Sequence, residues 1–106
     1  MSMTMDDFTE KYGEVFNNAF DKGELDKGIK LAENLFLVED MTPEVRVAVA
    51  SMALIFIGMQ LRENLLRSQA LQAVMKLSDE ESEAVKLTMA EIVKSKQVES
   101  ENAQAS

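Results

Sequence analysis

This sequence predicts an all-α fold, a compact four-helix bundle or orthogonal helical domain with a long central helix 3, and three observations carry that reading. Residues Val47 to Leu61, VAVASMALIFIGMQL, hold no charge at all in a chain that is otherwise acidic. At about 100° per residue their side chains point in every direction around the axis, and a helix apolar all round must be covered on all sides. Elsewhere, apolar residues recur at three- and four-residue spacing, and N-terminal capping signals stand before three of the helical segments.

The first helix starts near Met5. Thr4 is its capping hydroxyl, Asp7 completes a capping box, and Met3 is placed to pack on Phe8 as a hydrophobic staple. Phe8, Tyr12, Val15, Ala19 and the neighbouring Phe16 and Phe20 then form one broad apolar face, read as core. Gly23 ends the helix because it enters the left-handed conformation at low cost. Leu25, Ile29, Ala32, Leu35 and Phe36 repeat the period, which predicts a second helix from Glu24 to Val38. Gly28 inside it costs about 1 kcal/mol of helix propensity, a cost that makes sense if another helix approaches closely there.

Thr42 followed by Pro43 restarts the helix: a capping hydroxyl, then a residue whose missing N–H does not matter at the first helical position. VRVAV at 45–49 alternates like a strand, but Pro43-Glu44 opens a helix and SMALIF loses the alternation. Helix 3 has no obvious terminator before Lys76, so it runs for roughly 33 residues or bends at Gly58, long for a globular domain. Past Leu61 it turns amphipathic, with Leu65, Leu66, Ala70, Val74 and Leu77 set among Arg62, Glu63, Arg67, Gln69 and Gln72. Ser78 and Glu81 form a second capping box for a fourth helix, with Asp79, Glu80 and Glu81 in its positive first turn. Its apolar face is Ala84, Val85, Thr88, Met89 and Ile92. The expected organisation is one helical domain over 1–95 and a disordered tail over 96–106.

The chain has 106 residues, enough for one ordinary domain and too few for two. Its 46% hydrophobic content argues against wholesale disorder. Eleven basic against nineteen acidic residues give a formal charge of -8. With the bases spread among the acids rather than gathered in a stripe, direct nucleic-acid binding is not expected. The uncharged run of about 15 residues is short of the roughly 20 needed to span a bilayer, so no membrane span is expected. MSMTMDDF lacks the basic-then-apolar pattern of a signal peptide, and the absence of Cys makes an intracellular, cytoplasmic setting the simpler expectation.

The absence of both His and Cys removes the usual neutral-pH acid/base group, the commonest metal ligands and the usual activation of a nucleophile. Carboxylates at Asp6-Glu10, Glu10-Glu14 and Glu80-Glu83 share helical faces, but no Glu-x-x-His motif accompanies them, and they read as solvated surface. Asp21-Lys-Gly-Glu-Leu-Asp26 fails as a calcium loop, because Gly23 and Leu25 replace oxygen ligands and the closing Glu is missing. No glycine-rich nucleotide loop is present. The sequence therefore predicts no catalytic residue, no metal site and no cofactor.

The stretch from Phe16 to Gly58, with AFDKGELDKGIKLAENLFLVEDMTPE at its centre, resembles the helix-turn-helix rhythm of a tetratricopeptide-type unit. That resemblance implies peptide or protein binding on a concave helical face. It covers under half of the chain, Gly28 stands where the family favours alanine, the proline comes late, and no second unit repeats at the family's roughly 34-residue period.

The functional expectation is a non-catalytic protein–protein interaction module, an adaptor, chaperone or regulator that acts as a homodimer and holds a protein partner. Surplus apolar surface without reactive chemistry motivates it, and eight Met residues could repack against varied apolar surfaces. Val49, Met52, Ala53, Phe56, Ile57 and Met59 are the candidate interface residues, on the extra apolar face of helix 3. Two alternatives stand beside it. An acidic inhibitor or nucleic-acid mimic needs its acids gathered on one face, and a small-ligand carrier or enzyme needs a deep apolar pocket with convergent polar groups.

Overall fold

The computed structural model describes residues 2–60 and 65–105, without the side chains at positions 65, 67 and 98–105. The described residues form helices α1 (Met5–Asp21), α2 (Leu25–Val38), α3 (Pro43–Met59), α4 (Leu65–Met75) and α5 (Asp79–Ala105), and no strand. The fold is all-α. Leu61, Arg62 and Glu63 of the predicted helix 3, and the side chains of Leu65 and Arg67, lie outside the described residues.

The local signals act as their chemistry requires. Thr4 Oγ1 accepts the Asp7 N–H at 3.2 Å while Asp7 Oδ2 accepts the Thr4 N–H at 3.3 Å, closing the capping box of α1. Just before it, the chain is pinned to the α2–α3 connection: the Met3 N–H donates to the Asp40 carbonyl at 2.7 Å and the Thr42 N–H to the Met3 carbonyl at 3.2 Å. Met3 and Met41, paired across this short bridge, are both buried. Gly23 takes a left-handed φ of 68° after α1. Thr42 Oγ1 accepts from the Val45 N–H at 3.4 Å, with Pro43 opening α3. Ser78 and Glu81 exchange the two hydrogen bonds of the second box, at 3.0 and 3.1 Å.

Three features differ from the expectation. α3 ends at Met59, one residue past Gly58, and α4 is a separate element. α4 closes at Lys76, whose φ of 46° is left-handed without the freedom of a glycine. α5 is helical to Ala105, through the stretch expected to be a tail. Val15, assigned to the core face of α1, is exposed.

α3 is the centre. It packs against α1, α2, α4 and α5, and these bury most of its length, leaving Val47 and Ala48 half-buried and Gly58 and Met59 exposed. Val45, Val49, Ala50, Ser51, Ala53, Ile55, Phe56 and Ile57 are buried. On the α1–α2 side the packing is aromatic. The Phe16 ring stacks on Phe56 at 6.2 Å, Phe20 meets Phe56 edge-on at 4.6 Å, and Phe8 lies 5.4 Å from Phe16. Gly28 admits this cluster. A Cβ there would stand 2.7 Å from Phe56 Cε2 and 3.0 Å from the Ala19 Cβ, so the glycine that weakens α2 is what lets α3 approach.

α5 is attached differently. Its 27 residues make a rod about 40 Å long whose backbone packs along α3. Ser51, the one buried polar residue among those described, lies at that contact: its Oγ donates to the Val47 carbonyl at 2.6 Å and stands 3.5 Å from the Val85 carbonyl. Further along, Lys96 Nζ pairs with Asp21 at 3.2 Å and lies 5.1 Å from the Phe20 ring centroid, tying α5 to the end of α1.

Candidate functional site

Because the backbone of α5 lies mainly along α3, a groove runs along each of its flanks. The first, of about 820 Å³, lies between α5 and the start of α3. Met5, Val47, Ala48, Ala84 and Thr88 line it, with Pro43, Glu44, Ser78 and Glu80 at its margin. Alanine on both walls keeps it open: neither Ala48 nor Ala84 reaches far enough to fill the space between the helices. The second groove, of about 420 Å³, lies between α4 and α5 over Leu54, with Met75, Leu77, Val85 and Met89 on its walls and Lys76 and Lys86 at its edge.

Arg46 sits at the end of the first groove and organises the junction behind it. Its Nε donates to Glu81 Oε2 at 2.8 Å, and its Nη2 to the Met75 carbonyl at 2.7 Å and the Lys76 carbonyl at 3.2 Å. The guanidinium also lies 5.4 Å from the Phe36 ring centroid. One side chain from α3 thus satisfies the carbonyls that end α4, where a cation is favoured by the helix dipole, and holds the capping glutamate of α5. Glu81 serves twice, as cap and as ion-pair partner. Burial raises the pKa of its carboxyl, but hydrogen bonds from the Ser78 N–H and Arg46 outweigh that and hold it below its ordinary value.

Among the described residues Arg46 is the cation in the first groove, and that charge is met by Glu81 and two carbonyls. Among the described residues no group of three or more carboxylates is placed to hold a metal ion, and no helix is long and apolar enough to cross a membrane. Some exposed acids pair with lysines on their own helix. Glu24 pairs with Lys27 at 3.1 Å and Glu83 with Lys86 at 3.3 Å, both on single helices.

The six candidate interface residues fall in two groups. Val49, Ala53, Phe56 and Ile57 are buried inside the chain, where α3 meets its neighbours, and present no surface. Met52 is half-buried against the core, and Met59, at the end of α3, is 58% exposed. Most of the apolar surface of helix 3 is buried within the protomer. The sequence reading missed the α5 flanks and Arg46. Ala48 and Ala84 looked like ordinary helix residues, and Arg46 like a mere boundary of the uncharged run; the Ser78–Glu81 box was visible, but not that a residue 35 positions earlier shares Glu81.

Compared with protein-family models, curated proteins and solved structures, the chain matches none.

Proposed function

We propose that the protein is a non-catalytic protein–protein interaction module, an adaptor, chaperone or regulator, which works as a homodimer and holds a partner protein beside α5. The observation that supports this reading is the first groove: apolar along its floor, open to solvent, and with Arg46 paired to Glu81 and two backbone carbonyls. Such a surface favours complementary apolar contact. The homodimer contact is assigned to exposed apolar residues such as Met59 and Leu66, since the buried face of α3 is occupied.

Affinity capture from the native organism tests the reading, using the intact protein and an Ala84→Arg variant that blocks the groove. Loss of one reproducible protein partner in the variant supports it. Recovery of no protein partner together with a small molecule or metal at stoichiometric occupancy refutes it in favour of a carrier or enzyme. Light scattering at micromolar concentration tests the homodimer, with a species of twice the 11.8 kDa chain mass expected and a monomer contradicting it.

A further inference from the structure

The first groove has features that restrict what can lie in it. Peptides are held by adding a strand to a sheet edge, by laying an amphipathic helix in an apolar groove, by stacking prolines on aromatic walls, or by pairing phosphate with free arginines. The described residues offer no strand. No aromatic side chain lines the groove. Its single arginine is held by Glu81 and two backbone carbonyls. A helix in the groove is the mode that remains, and the dimensions suit it: Ser78 to Thr88 spans about 15 Å along α5, the length of roughly ten helical residues.

Charge then sets the sign. With Arg46 neutralised by Glu81, the charges left at the margin are Glu44 and Glu80, both exposed and neither in an ion pair with a described residue. Asp79 adds to the same end of α5. The groove on the other flank differs, with Lys76 and Lys86 at its edge. A second copy of this chain is a poor occupant of the acidic groove, because it would bring another body of formal charge -8 against Glu44 and Glu80.

We infer that the groove between α3 and α5 takes an amphipathic helical segment of another protein, with apolar side chains three and four residues apart on Val47, Ala48 and Ala84 and with Lys or Arg along its edges. This rests on the interaction-module reading and gives the partner's chemistry. Small walls set the depth, and the two glutamates select the charge.

The test uses three fluorescent peptides of about 14 residues, near the lower length limit for isolated helices. One has leucines at helical spacing with lysine edges, one the same leucines with glutamate edges, and one is the lysine peptide scrambled. Polarisation against the wild-type protein should show the lysine peptide binding about tenfold or more tighter than the other two, with the preference shrinking as salt rises from about 0.05 to 0.5 M. Ala84→Arg should remove binding, and Leu87→Lys, on an exposed position of α5 outside the groove, should leave it unchanged. Glu44→Lys combined with Glu80→Lys, two surface changes that spare the core, should turn the preference toward the glutamate peptide; this variant decides the question if Ala84→Arg does not fold.

Equal binding of lysine and glutamate peptides, equal binding of the scrambled peptide, no binding of any peptide, or an unchanged preference in the double variant would overturn the inference. If affinity capture still yields a partner lost in Ala84→Arg, the interaction-module reading survives that failure; if it does not, both fall.

Discussion

α3 and α5 are both mainly helical rods in the same domain, yet the two are held in place by different physics. α3 is fixed by shape: Phe56, Phe16, Phe20 and the gap left by Gly28 interlock, and little else is required. α5 lies along α3 with Val85 buried and Met89 against the core, and its polar anchors are Arg46 on Glu81, Ser51 near the Val85 carbonyl and Lys96 on Asp21 of α1. The helix that looks most available for binding in the sequence is the one most enclosed. The surface proposed for binding lies on the flanks of α5.

Substitutions should separate these two modes. Phe56→Ala should have the largest effect, about 3–5 kcal/mol of stability, because a fully buried ring leaves a cavity between three helices. Chemical denaturation measures it, and a loss below about 1 kcal/mol would show that the aromatic cluster adapts. Arg46→Met should cost about 2 kcal/mol, since the carbonyls at the end of α4 and the Glu81 carboxylate lose their charged donor. Arg46→Lys should not restore it, because an ammonium cannot reproduce the planar fork that reaches Glu81 and both carbonyls. The distinguishing readout is local: amide exchange should quicken at the start of α5 and the end of α4, while α1 and α2 keep their protection.

Gly28→Ala sharpens the comparison from the other side. Alanine favours a helix by about 1 kcal/mol, but its Cβ would meet the Phe56 ring at 2.7 Å, so a net loss of about 1–2 kcal/mol is expected. Combined with Phe56→Leu, the alanine should cost less than it does alone, and strict additivity in that double-mutant cycle would place the clash elsewhere. Glu81→Gln predicts a smaller, pH-dependent change. The folded carboxyl titrates below its ordinary 4.5, so its ionic contribution is complete above that value and is lost as pH falls through the lower folded pKa. Wild-type stability should therefore fall more steeply than that of Glu81→Gln from pH 4.5 downward, and parallel curves would contradict the ion pair's role. Leu87→Lys should lie within about 0.5 kcal/mol of wild type, as its side chain is 69% exposed on α5.

Local chemistry was legible in the sequence and long-range chemistry was not. Thr4 with Asp7, Thr42 with Pro43, and Ser78 with Glu81 marked helix starts because each cap works within four residues of itself. Gly28 was legible as a site of close approach, although nothing in its neighbours named Phe56. The end of α3 at Met59 was hidden, since the sequence there is apolar and helix-compatible, with Gly58 the single interruption. Lys76 in the left-handed region carries no composition signal; the Arg46 donor to its carbonyl comes from 30 positions away. The candidate site was less legible than the fold, because a groove is set by how far two helices stand apart, and Ala48 and Ala84 are unremarkable until they face one another.

The central claim is that the segment 49–57 of α3 is covered by its own chain, and the flanks of α5 are the surface proposed for binding. Native-state amide exchange followed by mass spectrometry or NMR, over a range of protein concentration that spans monomer and dimer, tests it most directly. The account predicts that the amides from Val49 to Ile57 are the slowest in the molecule and that their protection does not change on dilution. Loss of protection across that segment as the protein is diluted would contradict it, and would show that a second copy supplies the cover of α3.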